Sequence, residues 1–451
     1  MSTVTAPHPM IEPGAAALVL GLGKTGLSCA RYLRRKGLRV RVADTRQAPP
    51  AGEQLQADHP EVELRRGSFD SSLLEEMSQV VISPGISRRE PVVAEAERLR
   101  LPVIGDIELF AREASAPVAA ITGTNGKSTV TTLLAGFAKA AGRHVLSGGN
   151  LGCPALDLLE IAAPDLYVLE LSSFQLESCY SLQTITATVL NVTPDHLDRY
   201  ESMEEYAATK SRIFDRCRTA VVNIDDPYVR SMPRSGQRVL SFSLLDPGAD
   251  YCLTREPDPV LVCRGEPLLP FKQMKITGRH NAANALAALA MSEALGLSRG
   301  PALEVLTRFA GLPHRAQWVA EVGGVKFVND SKGTNVGATV ASVAGMDGPL
   351  VLIAGGDAKN QDFEALQAAC RGKVRHAVLI GRDADKLESV LAGHCSTQRA
   401  TDMASAVRAA RAAAMPGDTV LLSPACASLD MFRDYTHRGD EFTAAVEGLA
   451  A

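Results

Sequence analysis

Residues 121–129, ITGTNGKST, constrain this chain more than any other stretch. An apolar run, Val118-Ala119-Ala120-Ile121, precedes them and reads as a buried strand. Residues 130–141 follow with the apolar spacing of a helix. Strand, glycine turn, Lys-Ser-Thr and helix together lay out a phosphate cradle. Backbone N–H groups from Gly123, Thr124, Asn125, Gly126 and Lys127 can converge on one anion, and the helix N-terminus adds positive potential. Lys127 would neutralise a β- or γ-phosphate, and the hydroxyl of Ser128 or Thr129 would reach Mg²⁺. Ile121 stands where the usual G-x-x-x-x-G-K-[ST] pattern begins with glycine. The competing reading is a glycine turn with an exposed lysine.

A chain of 451 residues exceeds one ordinary core, so two or three domains are expected. A hydrophobic content of 46% with 22% charged residues describes a globular protein. The net charge of -4 supplies no basic field, which argues against nucleic acid as a partner. The start, MSTVTAPHPMIEPG, lacks the pattern of a signal peptide, and no apolar run is long enough for membrane insertion. Nine cysteines without a C-x-x-C pair point to reduced thiols and a cytoplasmic location.

Strands alternate with helices throughout, so the class is α/β with largely parallel sheets. Residues 1–106 form a first unit: a strand at 16–20, the turn Gly21-Leu-Gly-Lys-Thr-Gly26, a helix at 27–35, and a strand at 38–43 ending at Asp44. Read alone, this G-x-G-x-x-G with a downstream acid suggests an NAD-dependent oxidoreductase. The unit is short for a dinucleotide, however, and a second phosphate loop follows. Half a Rossmann fold suits a nucleotide with one base and a pyrophosphate. Ser83-Pro84-Gly85 would lie at a strand's carboxyl end, where such ligands sit. Residues 107–311 form the middle unit around the phosphate loop, and residues 312–451 the last.

Glu170 stands among apolar residues in the strand YVLEL and wants a cation; Mg²⁺ is a natural one, and an Arg or Lys partner is the alternative. Asp195-His196 follows another strand. Lys210, taken alone, reads as a solvated helix lysine. Asn281 and Asn284 share a helical face. Asp330-Ser-Lys332 and Asp357-Ala-Lys359 place opposite charges near strand ends, either as weak surface pairs or as ribose and phosphate contacts. Ser428 reads the same way, at the expected start of a helix.

GTNGKST, GGNLG, ELSSFQLE, NVTPDHLDRY, TGRHNAANAL, LPHR, NDSKGTN, GGDAKNQDF and SPACASLDMFRDYTHRG occur in this order. Together they resemble the Mur ligases of peptidoglycan synthesis, from Gly21 to near Phe442. Some of these motifs also occur in folylpolyglutamate synthases, which are not expected to carry the Gly21–Asp44 unit; NDSKGTN and SPACASLD are closest to the D-glutamate-adding branch. The resemblance implies three domains: a Rossmann-like UDP-binding domain, a P-loop-type ATPase domain and a Rossmann-like C-terminal domain. It implies an amide ligase joining D-glutamate to UDP-N-acetylmuramoyl-L-alanine through an acyl phosphate, with release of ADP and phosphate. Lys127 and Ser128 would serve the ATP phosphates and Mg²⁺. Glu170 would hold one Mg²⁺ and His196 a second, with Mn²⁺ as a substitute. Lys210 would carry a CO₂-derived carbamate. Asn281, Asn284, Arg315, Asp330 and Lys332 would contact ATP. Thr25, Asp44, Thr45, Arg46, Ser83 and Gly85 would hold the UDP end. Asn150, Ser172, Gln175 and His196 would line the muramoyl substrate. Thr334, Lys359, Ser428, Leu429 and Tyr435 would receive D-glutamate. A monomer acting on small molecules is the expected assembly. Two residues depart from the pattern: Lys24, where an apolar residue is expected, and Tyr435, where Phe is expected.

Overall fold

The computed structural model describes residues 14–450 except 151, 197–198, 255–256, 277, 347 and 359–360. Lys359, expected at the amino-acid site, therefore lies outside the described residues, as do Leu151 of GGNLG and Thr277. The chain divides into two compact units. The first comprises Met1–Leu253, Val262–Pro267 and Asn284–Val305; the second comprises Thr254–Leu261, Leu268–Ala283 and Leu306–Ala451.

Among the described residues twenty strands build three sheets. In chain order, β1 (Ala16–Leu20), β2 (Arg39–Asp44), β3 (Glu63–Arg66), β4 (Gln79–Ile82) and β5 (Val103–Ile104) form a parallel sheet of order β3-β2-β1-β4-β5. The order reverses between β1 and β4, which opens a crevice at their carboxyl ends. The helix Lys24–Arg35 begins three residues before the expected 27–35, inside the glycine turn itself.

The central sheet is built from β6 (Val118–Thr122), β7 (Val145–Gly149), β8 (Leu166–Glu170), β9 (Thr184–Val189), β10 (Cys217–Asn223), β11 (Arg238–Ser243), β12 (Tyr251–Leu253), β13 (Val260–Cys263) and β14 (Glu266–Pro270). Its order is β14-β13-β12-β11-β10-β9-β6-β8-β7. Every residue of β6 is buried, as a parallel strand covered on both faces requires. It runs between β8 and β9, so the phosphate loop, Glu170 and Asn191 emerge on the same edge. The helix expected around Lys210 is the α-helix Met203–Ser211, followed by a 3₁₀ turn, Arg212–Phe214.

The third sheet contains β15 (Gln317–Val322), β16 (Val325–Asn329), β17 (Leu350–Gly355), β18 (Val374–Ile380), β19 (Ser396–Arg399) and β20 (Thr419–Leu422), in the order β15-β16-β20-β17-β18-β19. Only β15 pairs antiparallel among the register pairs of this sheet. Separate apolar clusters cover its two faces. Sequence reading misses β3, β5, β11 to β15 and β19, of which β3, β5, β14, β15 and β19 are edges and β11 to β13 lie inside the central sheet. The edge strand β19, Ser-Thr-Gln-Arg, lacks the apolar signature, whereas β5, β12 and β13 are apolar but only two, three and four residues long. Among the described residues no helix is long and apolar enough to cross a membrane.

Candidate functional site

The phosphate loop forms because two glycines take conformations closed to other residues. Gly126 has φ +84 and caps the helix Lys127–Ala140, and a Cβ there would stand 2.3 Å from Asn284 Oδ1. This places Asn284, expected at ATP, against the loop. The Asn191 side chain pins the turn from both sides: it accepts from the Asn125 amide (2.8 Å) and donates to the Asn125 carbonyl (3.1 Å). Lys127 folds back and donates to the carbonyls of Gly123 (2.9 Å) and Thr124 (2.8 Å). Two of the five amides expected to converge on an anion, those of Thr124 and Asn125, are thus taken by Asn191, whose carbonyl and side chain accept from them, while Lys127 is held by carbonyls that an anion can replace.

Glu170 lies one strand away at 2% exposure. Its carboxylate accepts from Ser128 Oγ and from Asn150 Nδ2, both at 2.7 Å. Both donors are neutral, so their bonds leave the negative charge in place. Of the two hydroxyls the sequence leaves open, Ser128 is the one joined to Glu170. This pair of oxygen donors beside a phosphate cradle suits a hard divalent cation. Among the described residues no three His, Cys, Asp or Glu side chains converge as a metal centre. Mg²⁺ here would complete its shell from phosphate oxygens and water.

Lys210 is not a solvated lysine. It is 2% exposed, and its amine donates to the Gly123 carbonyl (3.0 Å) while lying 4.5 Å over the Tyr206 ring. Burial first, and Lys127 second, push its ammonium well below the usual lysine range, partly offset by Asp195. Tyr206 in turn stands 3.4 Å from Thr124 Oγ1 and near the His196 ring. His196 has φ +54, a left-handed conformation uncommon outside glycine, and packs edge-on against Phe174. Lys127, Lys210 and His196, 83 and 14 residues apart in turn, are therefore neighbours of one loop.

A second recess, of about 540 Å³, opens where the first sheet reverses order. Its lining includes Thr25, Asp44, Thr45, Arg46, Ser83, Gly85, Asn150 and Gln175, eight of the residues expected at the UDP substrate. Ser172 and His196 do not line it. Gly26 permits the close packing there, since a Cβ would fall 1.9 Å from the Gly21 carbonyl oxygen. Asp44 is engaged by its own loop, accepting from the Leu22 amide (2.7 Å), the Arg46 amide (2.9 Å) and the Arg46 guanidinium (2.6 and 2.8 Å). Burial alone would raise its carboxyl, but these bonds outweigh burial and hold it at about 2. Lys24 also lines the recess and donates to the Gly152 carbonyl. Ser172 caps the short helix Ser173–Glu177 in a reciprocal box with Gln175, whose amide also donates to Asp106 (2.8 Å).

In the second unit, Asp330 is buried at the end of β16 and accepts from Ser342 Oγ (2.6 Å), Ser423 Oγ (2.8 Å) and the Ala316 amide (3.2 Å). Burial raises its carboxyl to about 6, with Ser342 and Ser423 opposing. The Ala316 bond ties Asp330 to the turn carrying Arg315. Lys332 stands 3.8 Å over the Tyr435 ring, which joins a residue expected at ATP to one expected at the amino acid. Thr334 donates its amide to the Lys332 carbonyl (2.8 Å). Ser428 is buried and Leu429 is 67% exposed. The helix expected at Ser428 instead begins at Tyr435; Ser428 occupies a turn, so its neighbouring amides do not form a helix N-terminus. Asn281 is buried in this unit. Sequence reading missed Arg438, which is fully buried and donates to Ser331 Oγ (3.0 Å), the Ser331 carbonyl (2.8 Å) and the Cys426 carbonyl (3.1 Å). It thereby fastens NDSKGTN to SPACASLD. Its signal was a charge inside a motif with no assigned task.

Three family descriptions match successive parts of the chain: the Mur ligase MurD-like N-terminal domain at residues 15–105, the Mur ligase middle domain at 121–292, and the Mur ligase glutamate ligase domain at 314–426. The UDP-N-acetylmuramoylalanine–D-glutamate ligase of Nitrosococcus oceani is 50% identical over 97% of this chain and 98% of its own length. The enzyme of that name from Methylococcus capsulatus is 51% identical over 98% and 96%. The fold resembles the UDP-N-acetylmuramate-alanine ligase MurC of Thermotoga maritima, with a TM-score of 0.59 at 16% identity over 96% of this chain and 99% of that one. It also resembles a pseudomurein peptide ligase type C from Methanothermus fervidus, with a TM-score of 0.59 at 18% identity over 97% and 100%. This chain, with its three-domain α/β fold, belongs to the Mur ligase family.

Proposed function

We propose that this chain joins D-glutamate to UDP-N-acetylmuramoyl-L-alanine, at the expense of ATP, in peptidoglycan synthesis. The observation that carries the reading is the convergence of Lys127, Ser128-bound Glu170 and buried Lys210 on one phosphate loop, in a chain about half identical to ligases of that name. Residues 1–106 bind the UDP substrate, 107–311 bind ATP, and 312–451 receive the amino acid and part of ATP.

Charge governs the first step. The substrate carboxylate attacks the γ-phosphate, bringing like charges together. The loop amides and Lys127 hold the phosphates and offset the charge that spreads in the transition state. Mg²⁺, when bound near Glu170, Ser128 and His196, supplies further neutralisation of the phosphate oxygens. The resulting acyl phosphate is open to the D-glutamate amine, and displacement of phosphate completes the amide. Thr334, Lys359, Ser428, Leu429 and Tyr435 hold that amino acid, with Lys332 steadied on the Tyr435 ring.

Lys210 carries a carbamate in the working enzyme. Its amine must be neutral to add CO₂, and burial beside Lys127 favours the neutral form. The product is a planar anion in place of a buried cation, and it would face the second cation with His196. Mass spectrometry of the intact protein in bicarbonate buffer, with and without Lys210→Ala, tests the modification directly.

The test of the reaction is ADP and phosphate release against a matrix of UDP-muramoyl acceptors and amino acids. Release is expected only with UDP-N-acetylmuramoyl-L-alanine and D-glutamate together. Equal turnover with meso-diaminopimelate or L-lysine would overturn the assignment.

A further inference from the structure

We propose that Arg199 is a positioning residue that couples occupancy of the recess on the first sheet to the placement of His196 beside the phosphate loop. The inference rests on the reading of that recess as the UDP-substrate site. Arg199 lies three residues after His196, and its backbone amide donates to the His196 carbonyl (2.9 Å). Its guanidinium reaches the first sheet, donating to the Pro84 carbonyl (2.7 Å) and the Ile86 carbonyl (3.0 Å). Those carbonyls belong to the wall made by Ser83, Pro84, Gly85 and Ile86, all of which line the recess. The same guanidinium pairs with Glu177 (2.8 Å) and lies 3.9 Å over the Phe174 ring. Phe174 packs edge-on against the His196 ring at 4.8 Å, and Tyr200, next in the chain, donates to the other Glu177 oxygen (2.6 Å).

One planar group therefore contacts the recess wall, the helix Ser173–Glu177 and the ring that supports His196. A half-buried ion pair with Glu177 alone would hold two elements together, but it would not require donors aimed at two wall carbonyls. Such carbonyls move with the wall, and a rigid fork transmits that movement better than a flexible ammonium. The left-handed backbone of His196 supports the same reading. A conformation at φ +54 costs energy and persists where surrounding contacts hold it, and here the Arg199 and Tyr200 amides both bond the His196 carbonyl. A substrate that orders the wall thus has a mechanical route to His196, and by reciprocity the loop ligand has a route back to the wall.

Calorimetry on the full chain tests this. The dissociation constant of UDP-N-acetylmuramoyl-L-alanine is measured with and without Mg²⁺ and a non-hydrolysable ATP analogue, for the wild type, Arg199→Gln and Arg199→Lys. Each protein's thermal melt is recorded alongside. In the wild type each ligand should tighten the other by about fivefold or more. In folded Arg199→Gln that factor should fall to about one, with the analogue alone binding within about twofold of wild type, and Arg199→Lys should restore part of it. Glu177→Gln serves as the second variant if Arg199→Gln fails to fold, and it should reduce the factor as well. An unchanged factor in the folded variants would overturn the coupling while leaving the site assignment intact. A wild type that does not bind the UDP substrate at all would overturn the assignment of the recess, and this inference with it.

Discussion

The turn at residues 21–26 and the loop at residues 123–127 use the same ingredients: a buried strand, glycines, a lysine at the helix entrance and an acid at a neighbouring strand end. Around the first, charge is already balanced. Asp44 is bound by Arg46 and two amides, and Lys24 reaches outward to the Gly152 carbonyl. Around the second, Glu170 is held by neutral Ser128 and Asn150, and two amines, Lys127 and Lys210, rest on the Gly123 carbonyl. The first is arranged to hold a ligand in a set place. The second gathers an acid and two amines around one loop, as chemistry on a phosphoryl group requires.

The sharpest way to break this contrast is Lys127→Ala. Turnover should fall by roughly three orders of magnitude, because a charge partner made for the transition state is lost. Affinity for the UDP substrate should stay within about twofold, since the recess does not contain Lys127. Phosphate release and calorimetry report the two effects, and a large loss of UDP-substrate affinity would merge the two sites.

Lys210→Ala comes next, with turnover down by roughly two orders of magnitude or more. Short carboxylates such as acetate should restore part of it by occupying the vacated anion position. Lys210→Arg should resist rescue, because its guanidinium fills the space and forms no stable carbamate. Full activity of the Ala variant without any additive would refute the role.

Arg46→Ala probes the balanced turn. It should raise KM for the UDP substrate by about tenfold, as expected for one charge-assisted contact, and leave KM for ATP nearly unchanged. A pH effect accompanies it. The Asp44 carboxyl is lowered from 3.8 to about 2, so its stabilising contribution is present above pH 3.8 and is lost as pH falls through about 2. Removing Arg46 should shrink this contribution and move acid unfolding to higher pH. Asp330 is the mirror case. Raised from 3.8 to about 6, it contributes stability below pH 3.8 that is lost as pH rises through about 6, and Asp330→Asn should flatten that decline in melts taken across the window.

Lys24→Met should have the smallest effect, a change of only a few fold in KM for the UDP substrate, because an exposed amine is well screened. A larger change than Arg46→Ala produces would move the electrostatic centre of the recess to Lys24.

Much of the site was legible because its parts are local. Glycines at Gly26, Gly123 and Gly126 answer to backbone geometry within a few residues, and a phosphate cradle is made of consecutive amides. The parallel sheets were legible from strands apolar on both faces, such as β6 and β17. By itself, then, the sequence determined the fold class, the two glycine turns and the strand ends that carry polar clusters. Tertiary structure alone decided what each charged group became. Lys210 is a buried amine rather than a solvated one because its helix packs it against the phosphate loop, 87 residues earlier in the chain. Ser128 rather than Thr129 meets Glu170 across 42 residues, and Arg199 and Arg438 reach carbonyls 113 to 115 and 12 to 107 residues away. Burial and long-range pairing set the electrostatics of such groups, and neither is written in the spacing of neighbouring residues.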